Sequence, residues 1–190
     1  MKKIMFNDKY DLTKAVLEGR KTMTRRIVPD AKEVEIGGHK YLETRKLRYK
    51  VGEVVAIAQN YREVYEHLKQ TYGSSSRITK DFYFKHVFGG RVPVSNKMFV
   101  KGELMPHQIR ITNVRGERLQ DISDEDCLKE GIFWDYGDFP YMATKIYKYD
   151  EKEEFTHPKA AFAALINKVS GKGTWLSNPW VFVYEFELVK

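Results

Sequence analysis

Short runs of alternating apolar and polar residues dominate this chain, and they predict β-strands more often than helices. Glycine and proline separate the runs, as Gly37-Gly38 does between two extended arms and Pro29 does after a β-branched stretch. The strands predicted from this pattern are Ile4–Phe6, Thr22–Val28, Lys32–Ile36, His39–Arg48, Val54–Ala58, His107–Val114 and Trp180–Leu188.

Apolar residues at helical spacing predict about three helices among these strands. Each has an end residue suited to starting or stopping a helix, such as serine, proline or glycine. The helices are predicted from Leu12, Ala15 and Val16 up to Gly19, from Ser123 up to Gly131, and from Pro158 through Phe162, Leu165, Ile166 and Val169 up to Gly171. Strands with a few helices indicate an α+β or small-barrel fold.

Two less regular, aromatic-rich segments interrupt this pattern, at about residues 61–103 and 133–156, and we expect both to be insertions. The first is predicted to hold a helix, Glu63–Gln70, and a hairpin around Phe82, Phe84 and Val87. Its aromatic residues can either form a satellite core or stack on nucleic-acid bases. The satellite core is the interpretation we favour for most of them.

The most informative segment is Gly19–Arg26, which holds four cations and two hydroxyl groups directly after a predicted helix. A glycine at this junction allows a sharp turn because it adopts positive φ without a Cβ clash. The segment can therefore hold an anion and place Lys21 beside Thr24. The alternative is a solvated helix end whose cations complement the helix dipole.

The formal net charge of +7 is concentrated in one part of the chain. Residues 20–50 contain ten Lys and Arg but only four Asp and Glu, which gives +6 within that stretch. A concentrated positive field favours polyanions, so nucleic acid is the expected partner unless this is only a solubility patch.

Other classes of site are not expected from the composition. A single cysteine, Cys127, cannot form an internal disulfide, which favours a reducing compartment, and we interpret it as a small core residue. The five histidines lack metal-ligand spacing and no nucleotide-binding glycine motif occurs, so neither a metal nor a cofactor is expected. Without a long apolar run, we expect a cytoplasmic protein and no membrane partner.

The order of motifs resembles that of ASCH domains, relatives of the PUA fold, particularly phage and bacterial members. The resemblance rests on four pieces that occur in the family's order and cover about 1–60, 104–132 and 157–189. These pieces are Gly19-Arg20-Lys21-Thr22-x-Thr24-x-Arg26, the strand after Val51-Gly52-Glu53, the block Ile109-Arg110-Ile111 to Glu130-Gly131, and Asn178-Pro179-Trp180-Val181 to Phe186.

The resemblance implies one domain with a small PUA-like β-barrel, flanking helices, a cleft at one side and the two insertions already described. It also implies RNA or a modified nucleoside as ligand. Some small bacterial members of the family hydrolyse the amide of N4-acetylcytidine with a lysine, a threonine and a glutamate. The matching residues here are Lys21, Thr24 and Glu130.

Three functions are therefore expected as alternatives. The first is binding of RNA or a modified nucleoside in a basic cleft, with Arg20, Arg25, Arg26 and Trp180 as binding residues. The second is an amidohydrolase, and the third is a phage or mobile-element accessory protein that binds other proteins.

For the hydrolase, Lys21 is the base, Thr24 the nucleophile and Glu130 the proton donor. The arginines beside Lys21 supply positive charge that lowers its pKa. Side chains alternate along a strand, so Lys21 and Thr24 share a cleft only if Lys21 still lies in the bend after Gly19. Each residue also has an ordinary structural interpretation, such as a solvated cation for Lys21 or a strand former for Thr24.

Overall fold

The computed structural model describes residues 1–29, 31–43, 47–89, 93–136 and 145–189, without the side chains of 40 and 41. These parts of the chain are α+β. The strands are β1 (Lys3–Ile4), β2 (Met23–Ile27), β3 (Lys32–Ile36), β4 (His39–Glu43), β5 (Val54–Ile57), β6 (Gln108–Arg118), β7 (Phe133–Tyr136), β8 (Lys145–Lys148) and β9 (Trp180–Leu188). The α-helices are α1 (Leu12–Leu17), α2 (Tyr61–Tyr72), α3 (Arg77–Phe82), α4 (Asp124–Lys129), α5 (Pro158–Ser170) and α6 (Thr174–Ser177).

The largest sheet is mixed and has five strands in the order β1-β5-β6-β9-β2. The β1 and β5 strands are parallel, whereas β2 and β9 are antiparallel with Thr24 opposite Tyr184. Two further two-stranded sheets pair β3 with β4 and β7 with β8. The strands of the described residues do not close into a barrel, so the fold class is confirmed as α+β and the PUA-like barrel stays a prediction.

Two compact units make up the chain: Met1–Phe6 with Val54–Ile109 and Leu188–Lys190, and Asn7–Glu53 with Arg110–Glu187. The second unit holds α1, α4 and α5 together with strands β2 and β9. Its α5 begins with Pro158 at the first helical position and buries one apolar face. The buried side chains of that face include Phe162, Leu165 and Ile166, as predicted, while Val169 is exposed.

The first unit contains a satellite core under α2 and α3, as the sequence predicts. Buried Val64 and Phe82 pack there, with Tyr61 and Tyr65 partly buried against them. The hairpin expected around Phe82, Phe84 and Val87 is wrong, because this run is helical. Ser76 caps α3 by accepting a hydrogen bond from the Thr79 amide, and α3 continues directly into a π-helix, Tyr83–Phe88. The cap therefore outweighs the strand preference of the aromatic residues.

The remaining elements largely follow the predicted pattern. β9 has the predicted bounds, and β2 and β5 are slightly shorter than expected. The β3–β4 hairpin forms around Gly37-Gly38. The second arm, predicted as His39–Arg48, is too long, because β4 ends at Glu43 and residues 47 and 48 are not in a strand. Residues 44–46 of this arm and 137–144 of the second insertion lie outside the described residues.

Candidate active site

Lys21 lies in the bend between α1 and β2. Gly19 adopts a φ of +73° after α1, and the Lys21 amide donates to the Ala15 carbonyl at 2.9 Å. The β2 strand begins only at Met23. The geometric condition for Lys21 and Thr24 to share a cleft is therefore met, because strand alternation does not yet apply at Lys21.

Glu130 arrives at Lys21 from the end of α4. Ser123 caps the start of this helix by accepting from the Asp126 amide, and Glu130 is the residue at which the helix ends. Gly131 then turns the chain with a φ of +101°, and a Cβ at this position would lie 3.6 Å from Lys21 Cβ and Cδ. Since 3.6 Å is an ordinary van der Waals contact, the positive φ and not a lack of space is what favours glycine here.

The two side chains form a buried ion pair. Lys21 Nζ donates to Glu130 Oε2 at 2.6 Å and to the Glu130 carbonyl oxygen at 2.6 Å. The side chains are only 2% and 5% exposed. The sequence therefore brings together two of its three predicted catalytic residues across 109 positions.

Arg25 holds the other oxygen of the Glu130 carboxylate. Its Nη1 donates to Glu130 Oε1 at 3.2 Å, while its Nε and Nη2 donate to Glu117 Oε1 at 3.0 and 2.7 Å. Nη2 also donates to Asp126 Oδ2 at 2.8 Å. With its side chain 1% exposed, Arg25 lies inside a cluster of carboxylates, and its role in binding nucleic acid in a cleft stays a prediction.

Arg115 completes this charge cluster from β6. It donates to Asp126 at 2.5 Å and to Glu117 at 3.0 Å, and it also pairs with Glu185. Charged groups away from water are tolerated when ion pairs and hydrogen bonds satisfy them. The cluster therefore fixes the position of Arg25, and through Arg25 that of Glu130.

Thr24 is buried in β2, which lies at the edge of the five-stranded sheet. Residues two apart share a face of a strand, so Thr24 and Arg26 point to the same side, together with Tyr184 opposite Thr24. The Arg26 charge helps to lower the pKa of Lys21, but the direct contact to Glu130 comes from Arg25, which lies on the opposite face of β2 from Thr24 and Arg26. Among the described residues, the Thr24 hydroxyl has no hydrogen-bond partner, Lys21 included.

Two tyrosines lie against the same face. Tyr49 and Tyr184 are buried and contact each other edge to face, with ring centroids 5.2 Å apart. Burial raises the pKa of both phenols, so both stay neutral. The positive charges of Arg26 and Arg48 act on both phenols in the opposite direction. The face that carries Thr24 is thus lined by aromatic rings and by the Arg26 guanidinium.

The electrostatics lower the pKa of Lys21. Burial of the ammonium group is the largest cause, and the charges of Arg26 and Arg25 act in the same direction. The Glu130 carboxylate opposes them by charge and by hydrogen bonding. A lysine with a lowered pKa gives up its proton more easily, which a base requires.

The other two predicted binding residues are not brought to the ion pair. Arg20 is exposed and donates to Glu18 through Nε and Nη2 at 2.9 and 2.7 Å. Trp180 lies under the Arg118 guanidinium, 4.8 Å from its ring centroid, and donates to Glu33 at 3.3 Å. Along β9, Trp180 lies four residues, about 13 Å, from Tyr184, the residue opposite Thr24.

Sequence reasoning missed the carboxylates that surround Arg25. Asp126 and Glu130 are four residues apart and so share a face of α4, which was a signal that both can meet one cation. Asp126 was interpreted only as part of the helix start. Glu117 and Tyr49 had no local signal, since each reaches the site from a distant part of the chain.

Metal binding is not indicated by the described side chains, which contain no group of three or more His, Cys, Asp or Glu arranged to hold an ion. No helix in the described parts is both long and apolar enough to cross a bilayer. Comparisons of the chain with protein-family models, curated proteins and solved structures find no match.

Proposed function

We propose that this protein hydrolyses the amide of an acylated cytosine nucleoside of the N4-acetylcytidine class. The observation that carries the proposal is the buried contact of 2.6 Å between Lys21 Nζ and Glu130 Oε2. The substrate class comes from the resemblance to ASCH domains, so membership of that family and its PUA-like barrel belong to the proposal.

The ion pair can supply both a base and an acid by moving one proton. Transfer from the Lys21 ammonium to the Glu130 carboxylate gives a neutral amine beside a carboxylic acid. In water the ammonium–carboxylate pair has the lower free energy. Burial raises the free energy of that charged pair, so the amine–carboxylic acid pair comes closer to it in free energy. The lowered pKa of Lys21 agrees with this.

The reaction then follows in two balanced halves. The Lys21 amine takes the Thr24 hydroxyl proton while the Thr24 oxygen attacks the acetyl carbonyl. Glu130 gives its proton to N4 as the C–N bond breaks, which releases cytidine and leaves an acetyl ester on Thr24. A water molecule attacks that ester as Glu130 takes its proton, and Lys21 returns a proton to the Thr24 oxygen as acetic acid leaves.

Arg26 and the tyrosines give the substrate a place on the face that carries Thr24. A guanidinium donates to the carbonyl oxygen of a base, and aromatic rings pack against planar heterocycles. Because Lys21 and Glu130 are nearly inaccessible, side chains around the pair must move to admit the substrate. Such movement is a common part of substrate binding.

Binding of RNA or a nucleoside without turnover remains the alternative. It has less support, because two of the cations predicted to bind it are engaged elsewhere. Arg20 pairs with Glu18, and Arg25 pairs with three carboxylates. No observation on the described residues favours a role as an accessory protein that only binds other proteins.

The test is release of cytidine and acetate from N4-acetylcytidine by the purified protein. Thr24→Val removes the hydroxyl at nearly constant volume and should abolish turnover, whereas Thr24→Ser should retain part of it. Thr22→Val is the matched control, because it makes the same change two residues earlier, and it should leave turnover near the wild-type level. Absence of turnover by folded wild-type protein, or full activity of Thr24→Val, contradicts the proposal.

A further inference from the structure

The π-helix of the first insertion exposes aromatic rings that the satellite core does not use. Phe84 and Phe88 are 61% and 75% exposed, whereas Phe82 at the end of α3 is buried. Grouped large apolar side chains on a surface mark interaction sites. The exposure of these two rings therefore indicates a site that contacts a ligand or a partner.

The geometry of this segment holds the rings as one group. The Gly89 amide donates to the Phe84 carbonyl at 3.1 Å, a bond across five residues that is typical of a π-helix. The Phe84 and Phe88 ring centroids are 6.1 Å apart, and the Tyr83 ring lies 6.2 Å from that of Phe88. Short π-helical turns occur frequently at functional sites.

His86 adds a flat ring beside this group. It stacks on Tyr61 with ring centroids 5.1 Å apart and planes 10° apart. Burial lowers the pKa of His86, and the charges of Lys85 and Lys101 lower it further. Since its ordinary value is already below 7, the imidazole is neutral at neutral pH, and both lysine charges lie close enough to act on it.

The charge around these rings is positive. Residues 61–89 and 93–101 contain seven Lys and Arg but three acids, a net +4. Two of those acids are paired, Glu66 with Lys69 at 2.9 Å and Asp81 with Arg77 at 3.7 Å. Lys85 and Lys101 are exposed and form no salt bridge with a carboxylate of the described residues.

We propose that this surface binds single-stranded nucleic acid, with bases stacked on Phe84 and Phe88 and phosphates near Lys85 and Lys101. Exposed aromatic rings interleaved with cations are the combination that single strands require, since every base has a π-face and every nucleotide an anionic phosphate. An apolar protein partner would account for the rings but not for the excess of cations. Its residues belong to the first unit and the proposed catalytic residues to the second, and the proposal does not depend on the proposed hydrolase activity.

The test is fluorescence anisotropy of a labelled oligouridine of about ten nucleotides, titrated with the full chain. Phe84→Ala/Phe88→Ala should weaken binding by about tenfold or more, because each stacked base contributes a substantial part of the affinity. Phe84→Trp/Phe88→Trp should retain it. Leu176→Ala is the matched control, since Leu176 is 82% exposed in α6, and it should bind like wild type.

Two further measurements identify the ligand chemistry. Lys85→Gln/Lys101→Gln should reduce the slope of log affinity against log salt by about 1.4, that is about 0.7 for each lost phosphate contact. An abasic strand of equal length should bind more weakly than oligouridine. Undiminished binding by the Ala double variant, equal binding of the abasic strand, or self-association that Phe84→Ala/Phe88→Ala abolishes would each overturn the proposal.

Discussion

Replacing Glu130 with methionine should reveal how strongly the buried Lys21 ammonium depends on its carboxylate. In the variant, Lys21 keeps its hydrogen bond to the backbone carbonyl of residue 130, 2.6 Å away, and loses the counter-charge of the Glu130 carboxylate. The native state then has two options, to bury an uncompensated ammonium or to release its proton. Releasing the proton sets an upper limit on the cost.

That limit follows from the ordinary lysine pKa of 10.5. Deprotonation of such an amine at pH 7 costs about 1.4 kcal/mol for each of about 3.5 pH units, or about 5 kcal/mol. This agrees with the roughly 3–5 kcal/mol found when one partner of a buried ion pair is removed. We therefore expect the Glu130→Met variant to lose about 3–5 kcal/mol of unfolding free energy at pH 7.

The cost should shrink as the pH rises. The native variant holds Lys21 neutral, whereas the unfolded chain keeps that lysine protonated until the pH approaches 10.5. The unfolded state then binds more protons, so the unfolding free energy of the variant rises with pH, by up to about 1.4 kcal/mol per unit. In wild type the Glu130 charge opposes the lowering of the Lys21 pKa, so the rise is smaller.

The matched control is the double variant Lys21→Met/Glu130→Met, which removes both charges and keeps apolar volume. It should be within about 2 kcal/mol of wild type, since a buried pair can be replaced by apolar side chains at little cost. Urea denaturation at pH 7 and pH 9 measures all of these values. The reasoning would be refuted if the losses of unfolding free energy in Lys21→Met and Glu130→Met added up to that of the double variant within about 0.5 kcal/mol. A loss in Glu130→Met that does not change with pH would also refute it.

Three other predictions concern the same unit. Arg25→Met should lower the unfolding free energy by roughly 3–5 kcal/mol because three carboxylates each lose one of their cationic partners, whereas Arg20→Gln, at an exposed pair, should change it by less than about 1 kcal/mol; equal effects in urea denaturation would contradict the buried cluster. Gly131→Ala should cost roughly 1–3 kcal/mol, because an L-residue is strained at a φ of +101°, and an unchanged midpoint would argue against this turn. Burial raises the pKa of Cys127 to about 12, so iodoacetamide at pH 8 should label the native thiol far more slowly than the unfolded one, and equal rates would contradict its burial.

Much of the fold could be predicted from local signals. The end of α1 at Gly19, the proline start of α5 and the alternation in β9 are each decided by a few neighbouring residues, and all three agree with the structure. The hairpin around Phe82, Phe84 and Val87 is a wrong prediction, since aromatic residues favour sheets but Tyr83–Phe88 is helical. Its helical state depends on the cap at Ser76 and on packing of the satellite core, which is information outside the run itself.

The candidate site was predictable only in part. The contact between Lys21 and Glu130 was expected from the resemblance of the motifs, and the structure brings these residues together. The burial of Arg25 was not expected, because it depends on Glu117 and Asp126, which are 92 and 101 residues away in sequence. Local composition shows that a residue is charged, but only the tertiary structure decides whether that charge faces solvent or a carboxylate.

The central claim, that Lys21, Thr24 and Glu130 react as one site, is tested most directly by quenching the protein during turnover of N4-acetylcytidine and mapping its peptides by mass spectrometry. The account predicts an acetyl group on Thr24 in wild type and none in Lys21→Met. Turnover that leaves Thr24 unmodified in every quenched sample while Thr24→Val remains fully active would contradict it.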